Sequence, residues 1–230
     1  MAIDRPFPRL ELPAEIEFFC SMDWGYHAPG VIGWWAALPE HRLHIYRCWK
    51  FRLLADEEIA AGFHERTKRY GIERVRYIAG DPSMWIRDGR NATRGQSRAE
   101  TFLRAGLPMR KAENAREDGW ARVHSLLRIP TDDSGRVIGE PLLTVDAHPS
   151  CDYLRRSIPA LVSDKLNADD VETRGDDHGG DMVRYGAMSR PSPTIFRTKE
   201  KPLHPMLEEA LAASVSRGVL GSANVRTRVA

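Results

Sequence analysis

Three apolar runs near the start of the chain are joined by connections too short for anything but tight reversals. "EIEFFCSMD" (15–23) reads as a buried strand that ends on an aspartate. "WGYHAPG" turns the chain into "VIGWWAAL" (31–38), and "PEH" turns it into "RLHIYRCWKF" (42–51), which alternates with period two. Antiparallel strands can be linked by a few residues, whereas parallel strands need a crossover of roughly a dozen or more. These runs therefore predict an antiparallel meander.

The pattern then changes. "ADEEIAAGFHERTKRYG" (55–71) has helical spacing, with Asp56 as candidate N-cap and Gly71 as the stop. "RVRYIAGD" (74–81) is a fourth strand, again ending on an aspartate. A strand reached through a helix is expected parallel to a neighbour. Residues 85–112 are rich in glycine and arginine, with a short helix near 97–105. A good helix at 113–128 carries Trp120, Val123, Leu126 and Leu127, and "PLLTVD" (141–146) is a fifth strand. "SCDYLRRSIPAL" reads as a helix, "NADDVETRGDD" as an acidic loop, and "DHGGDMVRYGAMS" as the last core helix, started by Asp176 or Asp177. The reading is an α/β domain over 15–190, a mixed sheet of about five strands flanked by helices. An irregular segment at 1–14 precedes it, and a tail at 191–230 with one weak helix, "HPMLEEALAASVSR", follows.

Several function classes are excluded by what the chain lacks. No apolar run approaches the ~18 residues of a membrane span, and the first residues lack a signal-peptide core. Cys20, Cys48 and Cys151 are scattered, as in a cytosolic protein with reduced thiols, and no zinc spacing is present. No GxxxxGK[ST] loop occurs, so no ATP is expected to bind this chain.

What remains is a set of acids. Asp23 and Asp81 end the first and fourth strands. If those strands are parallel neighbours, both carboxylates lie at the sheet edge where ligand crevices form in α/β folds. On the final helix His178 and Asp181 are three apart and share a face. Converging carboxylates repel unless protons or cations intervene. Hard oxygen ligands suit Mg2+ or Mn2+, and two such ions ~3.5–4 Å apart can drive phosphodiester hydrolysis. Each residue also has a plainer reading: Asp23 and Asp81 as turn residues, Asp176 and Asp177 as caps, His178 as a surface histidine. Gly179 and Gly180 within the helix cost ~1 kcal/mol each relative to alanine. A close approach of the backbone to metal, strand or substrate would account for them.

The net charge of +2 hides a split. Residues 84–128 hold ten basic against five acidic residues, while 164–181 hold seven acidic against two basic. An acidic pocket beside a basic stretch suits a polyanionic substrate whose phosphates bind around bound cations. Arg87, Arg90, Arg94, Arg98, Arg110 and Lys111 are the candidate phosphate contacts. No recognition-helix motif is evident, so backbone contacts without base reading are expected. Trp24 and Trp85 read as core residues.

Taken in order, "SMDWGYHAPG", "YIAGDPSMW", "GLPMRKAENAREDGWARVHSLL" and "LNADDVETRGDDHGGDMVRYGAM" resemble the C-terminal nuclease domain of large terminase subunits from tailed bacteriophages, a branch of the RNase H-like fold. The last stretch is the most specific, a "D-V-x-T" loop followed by "D-D-H-x-x-D-x-x-R-Y". The resemblance covers about residues 15–190. It implies a two-metal endonuclease that cuts phage DNA during genome packaging in the bacterial cytoplasm. Asp23, Asp81 and Asp181 match the family's metal-binding acids, with His178 beside them and Asp177 as a further ligand or a cap. It also implies a packaging ATPase, a small terminase subunit and a portal as partners. The ATPase domain has no counterpart in this sequence, so the chain reads as a piece of a larger protein or a separate prophage gene product. Two other readings compete: a related RNase H-like nuclease, such as a junction resolvase or an RNase H-type ribonuclease, and a catalytically idle module that docks DNA or assembles a motor.

Overall fold

The computed structural model describes residues 16–69, 75–87, 95–172 and 175–190. The N-terminal segment, the tail helix, Arg90 and Arg94 lie outside them. The first three runs form the expected meander: β1 (Glu17–Asp23) pairs antiparallel with β2 (Gly30–Ala37), and β2 with β3 (Leu43–Phe51). Both faces of these strands are covered, and so β1 and β2 are apolar almost continuously rather than alternately.

Next, α1 (Asp56–Arg69) carries the chain across the sheet to β4 (Ile78–Gly80), which lies parallel to β1 as the crossover requires. Asp56 does not cap this helix. The carboxylate of Glu58 accepts from the Ala55 N–H at 2.7 Å, while Asp56 accepts from Trp24 Nε1 at 3.0 Å. In α2 (Arg98–Arg104), Ser97 and Glu100 cap the start reciprocally.

Among the described residues the expected mixed sheet has six strands, one more than the five read from sequence. The additional one, β5 (Met109–Lys111), extends it parallel to β4. Three residues in "LPMRKA" carry no usable period, so its pairing is set by β4 and not by local sequence. After α3 (Arg116–Leu127), β6 (Leu143–Val145) joins the far edge parallel to β3, giving the order β5-β4-β1-β2-β3-β6. The helix expected over "SCDYLRRSIPAL" is broken. Only α4 (Asp152–Ser157) is α-helical, flanked by single turns, since Pro149 and Pro159 cannot donate to a continuing ladder. The last helix among the described residues, α5 (His178–Met188), lies on the sheet.

A core fills each side of the sheet. Ile59 and Phe63 of α1 and Phe102 of α2 pack with Cys20, Ile32 and Trp34. On the opposite face Trp120 and Val123 of α3, Leu154 of α4, and Met182 and Val183 of α5 pack with Phe19, Val31 and Trp35. Strand parity then places the acids. Phe19 and Ala79 belong to the α5 side, so Asp23 and Asp81, an even number of residues further along each strand, fall on that side too.

Candidate active site

Asp23 and Asp81 leave adjacent parallel strands at the same end. The Asp81 N–H donates to the Met22 carbonyl at 3.0 Å, one position beyond the last strand pair, Met22 with Gly80. Over this end sits the start of α5. Its seat is fixed by Ser21, whose hydroxyl donates to the Met182 carbonyl at 2.7 Å and accepts from Trp35 Nε1 at 2.9 Å. Gly186 lets the helix approach so closely, since a methyl there would lie 2.3 Å from Trp35 Cζ2.

The glycines near the start of α5 have a related cause. A methyl on Gly179 would lie 2.8 Å from Ser157 Oγ on α4, and one on Gly180 would lie 2.8 Å from Leu161 Cδ1 and Trp120. They accommodate neighbouring helix residues; neither metal nor strand is needed to explain them. A cleft of about 460 Å3, lined in part by Lys50, Tyr153, Arg156 and Asp176, opens beside this helix end.

This seating brings His178 onto Asp23, with Nδ1 and Oδ2 2.9 Å apart. Asp23 is 6% exposed. Burial pushes its carboxyl up to about 7; the His178 hydrogen bond opposes the rise, while the charges of Asp181 and Asp81 add to it. His178 is raised in turn, chiefly by its bond to Asp23. Tyr185, buried one turn beyond Asp181, has its hydroxyl pKa raised first by burial, then by the charges of Asp81, Asp181 and Asp23. The three acids thus act electrostatically on common neighbours.

Asp181 itself is held by arginines. Arg184, fully buried, donates from Nε to Oδ1 at 2.9 Å and from Nη2 to Asn114 Oδ1 at 3.2 Å. Arg116 approaches both Asp181 oxygens at 3.4–3.5 Å. Asp81 accepts from the Ser83 N–H at 2.9 Å and hydroxyl at 2.8 Å, so it starts the turn Pro82–Trp85 as well as lying at the site edge. Asp177 occupies the N-cap position of α5 without capping through its side chain. Its carboxyl is raised by burial and then by the charge of Asp181. Asp176 points elsewhere, to Lys50 at 2.8 Å and to the Tyr153 hydroxyl at 2.6 Å. Arg184 and Tyr185 could have been picked from the "D-x-x-R-Y" spacing, because Asp181 and Arg184 are three apart on a helix. No local signal marks Arg116.

The carboxylate oxygens suit a hard divalent cation; the Asp23 carboxyl is raised first by burial, and the charges of Asp181 and Asp81 add to the rise. Among the described residues, however, no group of three or more His, Cys, Asp or Glu side chains stands together as a ready cage. Asp23, Asp81 and Asp181 are each engaged by a partner from the chain.

The expected phosphate contacts divide. Arg110 and Lys111 lie exposed on the edge strand β5. Arg87 pairs with Glu100. Arg98 stacks 3.5 Å over the Trp24 ring and lies 3.6 Å from Asp56, so it braces the residue after Asp23. Trp24 is therefore neither pure core nor an open stacking platform.

No family model and no curated protein matches the chain. Solved structures do match. One is the nuclease domain of the P22 large terminase, with a TM-score of 0.58 and 16% identity over 81% of this chain and 86% of that one. Another is the large terminase of a thermophilic bacteriophage, with a TM-score of 0.58 and 16% identity over 81% of this chain. The chain spans 42% of that protein's length, and the same share holds for its ADP complex, with a TM-score of 0.56 and 18% identity. The mixed sheet and its flanking helices share the fold of the P22 large terminase nuclease domain.

Proposed function

We propose that this domain is a divalent-metal-dependent endonuclease that cuts double-stranded phage DNA during genome packaging. The observation that carries the reading is the placing of Asp23 and Asp81 at the C-terminal ends of two adjacent parallel strands, under the start of α5, which carries His178 and Asp181. Asp23, Asp81 and Asp181 would hold Mg2+ or Mn2+, with Asp177 and His178 flanking them. A pair of such ions supplies an activated water and stabilises the leaving oxygen. The chain's own residues prepare the ligands. His178 orients Asp23, Ser83 orients Asp81, and Arg184 fixes one oxygen of Asp181 and leaves the other turned toward Arg116. Arg87, Arg110 and Lys111, with Arg90 and Arg94, would draw the DNA backbone alongside. A packaging ATPase, a small terminase subunit and a portal would be the partners, in the host cytoplasm.

A second reading has an observation of its own. Since Asp23, Asp81 and Asp181 already have partners and no cage is formed among the described residues, the same scaffold could serve as an idle DNA-docking or motor-assembly module. Manganese-dependent nicking of plasmid DNA, with Asp23→Asn and Asp81→Asn as controls of verified fold, separates the two. Loss in both variants supports the nuclease; no cleavage by the native protein supports docking.

A further inference from the structure

Arg116 occupies an unusual place. It sits in the first turn of α3, far in sequence from α5, yet its guanidinium is shared between two carboxylates. Nε meets both oxygens of Asp170 at 2.9 Å, and Nη1 lies 3.4 Å from Oδ2 of Asp181. Asp170 is fixed in turn by Trp120 Nε1 at 3.0 Å and by the Val171 N–H at 2.7 Å. Nη2 also donates to the Val171 carbonyl at 3.3 Å, so the guanidinium is tied to one short loop. The two arginines on Asp181 differ in kind. Arg184 is buried, bonds Oδ1 at 2.9 Å and is packed against Gly119, so it cannot withdraw. Arg116 is part-exposed and touches Asp181 only through long contacts.

We propose that Arg116 is an internal counter-cation that guards the metal site: beside Arg184, which holds Oδ1, it adds a second and longer-range positive charge to Asp181 and competes with a divalent ion for Oδ2. Asp170 is the alternative anion that keeps the guanidinium from closing fully on Asp181. Loading a cation breaks the long Asp181 contacts and leaves Arg116 wholly on Asp170, which couples the acidic loop at 164–171 to the state of the site. This rests on the nuclease reading of the acids, and it makes Arg116 a positioning residue that acts through Asp181.

A fixed positive charge beside a ligand oxygen repels an arriving cation, and removing it strengthens cation binding; a charge that merely orients the ligand does the reverse. Two variants therefore move in opposite directions. Arg116→Gln removes the competitor. Asp170→Asn removes the bidentate anion and leaves the guanidinium to Asp181 and Asp177.

The test is Mn2+ binding by calorimetry on the native chain, Arg116→Gln, Asp170→Asn and Asp181→Asn, each checked for fold by circular dichroism and supported by Arg116→Lys. The guard predicts about five- to tenfold tighter binding in Arg116→Gln, weaker binding in Asp170→Asn, and near-native binding in Arg116→Lys. Equal or weaker binding in Arg116→Gln, or both variants shifting the same way, overturns the guard and leaves the metal reading intact. If the native chain and Arg116→Gln both fail to bind Mn2+, the guard and the metal reading fall together. A readout independent of activity is the rise in melting temperature on adding Mn2+, expected larger in Arg116→Gln than in the native protein.

Discussion

Nδ1 of His178 and Oδ2 of Asp23 lie 2.9 Å apart although 155 positions separate them in the chain. The hydrogen bond spans the junction between a sheet end and the helix laid over it. It makes the acid and the imidazole one proton-sharing pair, since each shifts the other's titration. Replacing His178 with alanine removes the bond that opposes the rise of the Asp23 carboxyl. Nuclease activity in His178→Ala should fall roughly tenfold near neutral pH and recover toward alkaline pH. A pH profile unchanged in shape would show that His178 only packs there.

The same pair sets the pH dependence of stability in metal-free protein. The Asp23 carboxyl is raised from 3.8 to about 7, so the fold favours its neutral form. Its contribution is complete below about pH 4 and lost as pH rises through about 7. His178, also raised, has the same sign. Asp23→Asn cannot titrate, so its stability relative to native should grow across that window, by at most about 4 kcal/mol. Denaturant melts at several pH values with chelator present measure it.

Arg184 is a buried cation whose nearest anion is Asp181. Arg184→Met leaves that carboxylate with only the long Arg116 contacts and should cost about 3–5 kcal/mol. Adding Asp181→Asn to it should return part of the loss, because the stranded charge disappears. A double-mutant cycle from urea melts reads the coupling; simple additivity would mean that Arg184 acts through packing alone.

Close packing of α5 gives a test of the scaffold. Gly186→Ala improves helix propensity by ~1 kcal/mol but drives a methyl into Trp35 and Ser21. Overpacking costs about 1–3 kcal/mol or more, so the net effect is destabilising, and the melting temperature should fall. At Gly175, where a methyl would meet nothing within 4 Å, the same change should be close to neutral.

Arg110 and Lys111 stand exposed at the open edge of the sheet, on the side of β4 and hence of Asp81. Reversing both to glutamate should weaken duplex binding about uniformly across sequences and lower the salt slope by roughly two. Fluorescence anisotropy at several salt concentrations measures this.

Much of the architecture was legible because it depends on local pattern and connection length. The meander follows from apolar runs and short turns, and the parallel placement of β4 follows from the intervening helix. The edge strand β5 was not legible, since three residues hold their place only through pairing with β4. Asp23 and Asp81 were candidates from strand ends and His178 and Asp181 from helix spacing; the fold sets Asp23 and Asp81 at the ends of adjacent strands and His178 on Asp23. The arginines beside them were less readable. Arg98 looked like a phosphate ligand but stacks on Trp24, and Arg116 carried no signal because its partners lie in α5 and a distant loop. Long-range ion pairs have no sequence period.

The most direct test of the central claim is manganese-dependent cleavage of plasmid DNA by the native chain and by Asp23→Asn, Asp81→Asn and Asp181→Asn, each shown to be folded. The account predicts nicking by the native protein and its loss in all three variants, with chelator abolishing the native reaction. Cleavage that survives any one of these substitutions, or that proceeds in chelator, would contradict it.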